Sequence, residues 1–189
     1  EELLARCRRV VAVELDRGLA ELLRARLAEA ENLTILRTDV LAGKHALSGE
    51  VISALGERAV LVSNLPYNIA TPLLAEMLRS AWRADRGAAA DCLFARMTFT
   101  VQREVADRLA AGPDSADYGP VSVLARLLGR VEAGRVVPAS AFWPRPKVDG
   151  QIMRIDFDSA AARRLADADA LAAVLRACFS HRRKQLSSV

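Results

Sequence analysis

Asn64, Pro66 and Tyr67 fall within four positions of one another at the end of an apolar run, Val60-Leu61-Val62. An asparagine side chain both donates and accepts hydrogen bonds, a proline exposes a carbonyl without an N–H, and a tyrosine offers a ring face for stacking. A loop of that composition can grip a flat, nitrogen-rich group. The same residues also suit a plain turn with Tyr67 packed as core, and residue type alone leaves both readings open.

Two carboxylates extend the pattern. Glu14 ends the apolar run Val10-Val11-Ala12-Val13, and in doubly wound nucleotide-binding sheets an acid at a strand end accepts hydrogen bonds from ribose hydroxyls. Asp39 follows Leu33-Thr34-Ile35-Leu36, where it could accept from an exocyclic amine such as that of adenine, with backbone groups at Val40 available to the ring nitrogens. Each has a structural alternative: Glu14 solvated beside an Asp16 that opens the next helix, and Asp39 as a helix cap.

A third block, Pro138 to Asp149, holds three prolines, Phe142 beside Trp143, and the bases Arg145 and Lys147. One aromatic can be core, but two beside two bases in a proline-pinned loop favour a nucleotide site. Gln102, Arg103 and Arg108 could approach phosphates or simply line a wet helix face. His45 reads as a surface or capping residue and His181 as a structural one. Cys7, Cys92 and Cys178 are widely spaced and form no cluster with histidine, so no metal site is expected and a reducing compartment fits best.

The elements that must position these groups alternate. The run at 10–16 reads as a buried parallel strand, 32–40 as the next strand and its exit, and the apolar run that starts at Val60 as another. The segment 15–30 reads as an amphipathic helix with Leu19, Leu22, Leu23 and Leu27 as core. A further helix is expected from about Thr71-Pro72, carrying Leu73, Leu74, Met77 and Leu78, with Trp82 closing its apolar face. Residues 41–59 are polar and weakly patterned. Cys92–Phe99 and Val131–Val137 are strand candidates, Val121–Leu128 is helical, and the turn-rich stretch 111–120 reads as a functional loop. Gly150–Phe157 alternates like a strand that closes the sheet. Beyond Asp158 the chain turns to alanine-rich helix.

At 189 residues, 52% hydrophobic and 26% charged, the chain can hold one globular domain and the start of another. Its net charge of +4 favours a polyanionic partner only weakly. No apolar run approaches membrane-spanning length.

Taken in order, Val11-Ala12-Val13-Glu14, Thr38-Asp39-Val40, Asn64-Leu65-Pro66-Tyr67, Val101 to Val105, Tyr118 to Val123, Phe142 to Asp149 and Phe179 to Leu186 resemble the small-subunit ribosomal RNA adenine N6,N6-dimethyltransferase family over nearly the whole chain. The resemblance implies an α/β fold: a Rossmann-like class I methyltransferase sheet with helices on both faces over residues 1–158, then the start of a small helical RNA-binding domain over 159–189. It implies S-adenosylmethionine as donor, bound through Glu14, Asp39, Val40 and Asn64, and two adjacent adenosines near the 3′ end of small-subunit rRNA as substrate. Asn64 with the Leu65 or Pro66 carbonyl would hold the adenine N6, while Tyr67 and Phe142 would stack on the base. Arg145, Lys147, Arg182, Arg183 and Lys184 would hold RNA backbone. The implied protein is a cytoplasmic monomer that acts on rRNA or the immature small subunit, not on a membrane.

The family's glycine-rich donor loop has no counterpart here and would lie upstream of Glu1. The expectation is therefore a chain that begins partway through its fold, stops early in the helical domain, and by itself binds the donor poorly. The nearest rivals are a macrolide-resistance-type methyltransferase of large-subunit rRNA and a non-enzymatic rRNA-binding or assembly module.

Overall fold

The computed structural model describes residues 1–43 and 46–180. They form two compact units, one over Glu1–Gly56 and one that begins at Glu57.

The first unit runs α1 (Glu2–Arg6), β1 (Val10–Val13), α2 (Arg17–Arg26), β2 (Leu33–Leu36) and α3 (Gly49–Leu55). β1 and β2 pair in parallel, Val10 opposite Leu33 and Val13 opposite Leu36. Asn32 fixes the start of β2, its Nδ2 donating to the carbonyls of Leu4 at 2.9 Å and Cys7 at 2.8 Å. Asp16 caps α2 by accepting from the Leu19 N–H at 2.8 Å, a bond that satisfies one of the helix's orphan donors. β1 is shorter than expected and only half-buried along its length.

The leucines of α2 depart further from expectation. Leu19 and Leu22 are 51% and 61% exposed, Leu23 and Leu27 are half-buried, and only Ala20 is fully covered. A two-stranded sheet covers one side of a helix, and α2 spends that side on β2. Helix α3 is an element that the weak patterning of 41–59 concealed; it stops at Gly56, whose φ of +75° is a left-handed cap that a side chain would resist.

The second unit runs β3 (Arg58–Asn64), α4 (Ala70–Ala84), β4 (Leu93–Gln102), α5 (Arg103–Ala110), α6 (Pro120–Leu128), β5 (Gly129–Val137), a 3-10 turn (Ala139–Ala141), β6 (Gly150–Phe157), α7 (Ser159–Ala162) and α8 (Ala168–Ser180). Its sheet has the order β3-β4-β6-β5. β3 and β4 are parallel, while β6 runs antiparallel to both β4 and β5. β6 is thus interior and does not close the sheet. Met153 and Ile155 on it are fully buried, whereas β5 carries Arg130, Glu132 and Arg135 exposed and suits the edge.

The core lies between α4, α6 and the sheet. Leu73, Leu74, Met77, Leu78, Ala81 and Trp82 of α4 are buried, as are Phe94, Met97, Phe99 and Val101 of β4 and Leu124 and Leu128 of α6. The 3.6-residue period of α4 and the alternation of β4 meet on this surface.

Among these apolar contacts sits one buried acid. Glu76 is 3% exposed and bonds Arg79 at 2.5 Å and Arg83 at 2.8 Å. Arg83 also bonds Asp91, and both arginines reach Asp169 in the first turn of α8, at 2.6 Å from Arg79 and 2.9 Å from Arg83. Burial alone would lower the basicity of Arg83, but its hydrogen bonds to Asp91 and Glu76 outweigh that and raise it. Helix α8 is therefore clamped to α4, and both α7 and α8 pack on α6, inside the second unit.

Candidate functional site

At the carboxyl end of β3, Asn64 stands opposite Thr100 of β4. The Leu65 N–H continues the ladder, donating to the Thr100 carbonyl at 3.1 Å, and the Leu65 side chain, 3% exposed, is sunk into the core. The Pro66 carbonyl then accepts from the N–H groups of both Ile69 at 3.2 Å and Ala70 at 3.1 Å, which starts α4. Both lone pairs of Pro66 are used inside the turn. The Leu65 carbonyl and the exposed Asn64 amide accept nothing among the described residues. Of the two carbonyls the sequence offered, only that of Leu65 is open. Tyr67 is half-buried beside them.

Phe142 comes to the same end of the sheet. Its Cζ lies 3.0 Å, and the Thr100 Cγ2 3.1 Å, from the point where a β-carbon on Gly150 would stand. The ring is therefore seated on the bare backbone of Gly150, next to the strand residue that faces Asn64. Asp149 closes the loop, its Oδ1 accepting from the Ala139 N–H at 2.9 Å and its carbonyl from the Arg103 N–H at 3.1 Å. Between this loop and α5 lies a groove of about 820 Å³ lined by Arg103, Asp107, Arg145 and Lys147 among others.

In the first unit, Glu14 and Asp39 follow the ends of neighbouring parallel strands. The Glu14 N–H donates to the Leu36 carbonyl at 2.9 Å, and its Oε1 accepts from the Asp16 N–H at 2.8 Å. Asp39 is not a helix cap: its Oδ1 accepts from the Leu41 N–H at 2.9 Å in a local turn. One oxygen of each carboxylate is thus occupied and one is open. The Val40 carbonyl is taken by the Ser48 N–H, while the Val40 N–H has no partner among the described residues. Two open acceptors and one open donor are the set that a ribose diol and an adenine edge require.

A family model described as ribosomal RNA adenine dimethylase matches residues 1–189. The chain belongs to the ribosomal RNA adenine dimethylase family. Among curated relatives it is 38% identical over 188 residues to a ribosomal RNA small subunit methyltransferase A of Acidobacterium capsulatum, covering 99% of this chain and 62% of the relative. A protein of the same name from Anaeromyxobacter dehalogenans is 36% identical over 189 residues, covering 97% of this chain and 62% of that one. The chain spans about three-fifths of the length of these relatives. Among solved structures it resembles a dimethyladenosine transferase from Plasmodium falciparum, with TM-score 0.73, 23% identity and coverage of 99% of this chain and 61% of that one. It also resembles the 23S rRNA methyltransferase ErmE, with TM-score 0.62, 24% identity and coverage of 95% and 65%. The fold is accordingly α/β, of the Rossmann-like class I methyltransferase kind.

For a chain of the dimethylase family, the expected site residues fall in two groups. Asn64, Leu65, Pro66, Tyr67 and Phe142 meet at one end of the second unit's sheet, with Arg145 and Lys147 exposed on the loop beyond. Glu14, Asp39 and Val40 share one edge of the first unit. Arg182, Arg183 and Lys184, like His45 and His181, lie outside the described residues. Thr100 and Gly150, which seat the loop and the Phe142 ring, escaped the sequence reading because a threonine in a strand and a glycine at its start carry no chemical signal. No group of three metal-ligating side chains occurs among the described residues.

Proposed function

We propose that the intact protein transfers methyl groups from S-adenosylmethionine to N6 of two adjacent adenosines near the 3′ end of small-subunit rRNA, as a cytoplasmic monomer acting in ribosome assembly. The family membership and the names of the relatives support the reading. The observation that carries it is the pair of unclaimed acceptors, the Asn64 side-chain oxygen and the Leu65 carbonyl, at the end of β3.

Adenine N6 is a weak nucleophile because its lone pair is delocalised into the ring, and it becomes positive as it attacks carbon. Asn64 and Leu65 would accept the two N6 hydrogens, align the lone pair and offset the developing charge; a preorganised acceptor of this kind is worth roughly 10²–10³ in rate. No side chain need remove a proton before attack. Tyr67 and Phe142 would flank the extruded base and offset part of the unstacking cost of a few kcal/mol.

When bound, S-adenosylmethionine supplies an electrophilic methyl group on a sulfonium. The open oxygen of Glu14 would accept from its ribose hydroxyls, that of Asp39 from its adenine amine, and the Val40 N–H would donate to a ring nitrogen. Asn64 would border the methyl group. Arg145 and Lys147, with Arg182, Arg183 and Lys184, would neutralise RNA phosphates.

The test is labelled-methyl transfer by the intact protein to immature small subunits and, separately, to large-subunit RNA. Transfer to the small subunit alone, abolished in Asn64→Ala while RNA binding persists, is the expected result. Transfer to large-subunit RNA alone would assign the macrolide-resistance type of reaction, and RNA binding by the wild type without transfer would leave a binding module.

A further inference from the structure

Trp143 is 97% exposed, whereas the next most exposed large apolar side chain among the described residues, Leu15, is 66% exposed. An indole held in water forfeits a large apolar contact area, so an isolated one in a stiff loop calls for a ligand. The loop does not leave the ring free to fold back. Pro138, Pro144 and Pro146 fix their own φ angles, and the Ala139–Asp149 hydrogen bond ties the loop's ends together. Phe142 has an extended backbone, φ −110° and ψ 149°, so successive side chains point to opposite sides. The Phe142 ring turns inward onto Gly150, and Trp143 is directed outward by the same geometry.

The surroundings of the indole identify what it would take. Arg145 and Lys147 are exposed two and four residues on, and with Arg103 they line the groove beside α5. None of the three cations has a carboxylate within 4 Å among the described residues. Of the groove's acids, Glu104 is engaged by Arg108 at 2.9 Å and Asp149 by the Ala139 N–H, which leaves Asp107. A flat, exposed apolar ring on the same loop as unpaired cations that line a groove matches alternating bases and phosphates.

We propose that Trp143 is a stacking residue for a base of single-stranded RNA whose phosphates run past Arg145 and Lys147, a role distinct from that of Phe142 at the inner face of the same loop. The assignment rests on the reading of the protein as an enzyme of RNA. It makes Trp143 a determinant of substrate affinity, outside the group that meets the reacting nitrogen.

The intact protein is titrated with a 5′-labelled adenosine-containing oligoribonucleotide and, in parallel, with inorganic polyphosphate. Trp143→Ala is expected to weaken the oligonucleotide about 10-fold, Trp143→Phe to retain most of the affinity, and polyphosphate to bind all three alike. The fluorescence that Trp143 contributes, wild type minus Trp143→Phe, is expected to be open to acrylamide without RNA and to be quenched by the oligonucleotide but not by polyphosphate. Unchanged oligonucleotide affinity in Trp143→Ala would overturn the proposal, as would a Trp143 already shielded from acrylamide before RNA is added, which would mean a protein segment covers it. Methyl transfer separates the two readings. Transfer with an unchanged KM in Trp143→Ala overturns the role of Trp143 alone; quenching by RNA in a wild type that methylates nothing sinks the enzymatic reading and leaves Trp143 in place.

Discussion

The ring of Phe142 rests where a side chain on Gly150 would begin, 3.0 Å from its absent β-carbon. A β-carbon at this position would sit closer to the ring and to the Thr100 methyl than ordinary contact, so both would have to give by a few tenths of an ångström. Gly150→Ala is expected to displace the ring and the neighbouring Thr100 methyl, at a cost of about 1–3 kcal/mol for overpacking. In a Phe142→Leu background the same alanine should cost less. A double-mutant cycle by urea unfolding measures that coupling, and equal costs in the two backgrounds would refute the contact.

Asn64 and Leu65 are neighbours with opposite fates, one side chain exposed and the other 3% exposed. Leu65→Ala should open a cavity and destabilise the fold by about 2–5 kcal/mol. Asn64→Ala should stay within about 0.5 kcal/mol of wild type while methyl transfer drops at least 10²-fold. Thermal melts and labelled-methyl transfer on the same preparations check the split.

Glu76 has two arginines as partners and almost no solvent. Its removal leaves the inner ends of Arg79 and Arg83 without their acid, so Glu76→Ala is expected to cost about 3–5 kcal/mol. Asp169→Asn, on the more open side of the network at 41% exposure, should cost less globally but loosen α8. Hydrogen exchange over Ala168–Ser180 is the readout, and unchanged protection there would count against the clamp.

Asp156 gives the fold a pH dependence. Burial would raise its carboxyl, but hydrogen bonds from Arg154 and Arg96, at 2.5 and 2.6 Å, prevail and hold it below its ordinary value of 3.8. A carboxylate depressed in the folded state stabilises the fold above its unfolded value and loses that contribution as pH falls through the folded one. The stability gap between wild type and Asp156→Asn should therefore be full at neutral pH and close well below pH 3.8. Urea unfolding across that range measures it; a gap that widens in acid would reverse the sign.

The strands, the long helix α4 and the turn after β3 were legible because apolar periodicity is local. What stayed hidden depends on partners distant in the chain. Leu19 and Leu22 fit a buried helix face, yet burial needs a second surface that α2 does not have in its unit. β6 looked terminal because it comes last, whereas strand order is set by the β5–β6 pairing. Pro66 offered a carbonyl as promising as that of Leu65 until the Ile69 and Ala70 amides claimed it. Phe142 and Trp143 are equivalent as residue types, and only Gly150 decides which one turns inward. Nothing local in Glu76, Arg79 and Arg83 marks them for burial, which follows from Asp91 and Asp169 arriving from elsewhere.

Helix α4 joins two of these features. Its first turn takes the Pro66 carbonyl that shapes the Asn64–Tyr67 turn, and its later turns hold Asp169 through Arg79 and Arg83. Fifteen helical residues make a rod of about 22 Å. One helix thus meets both the turn that presents Asn64 and the charged hydrogen bonds that hold α8. The buried carboxylate of Glu76, midway along that rod, is the rivet of its α8 end.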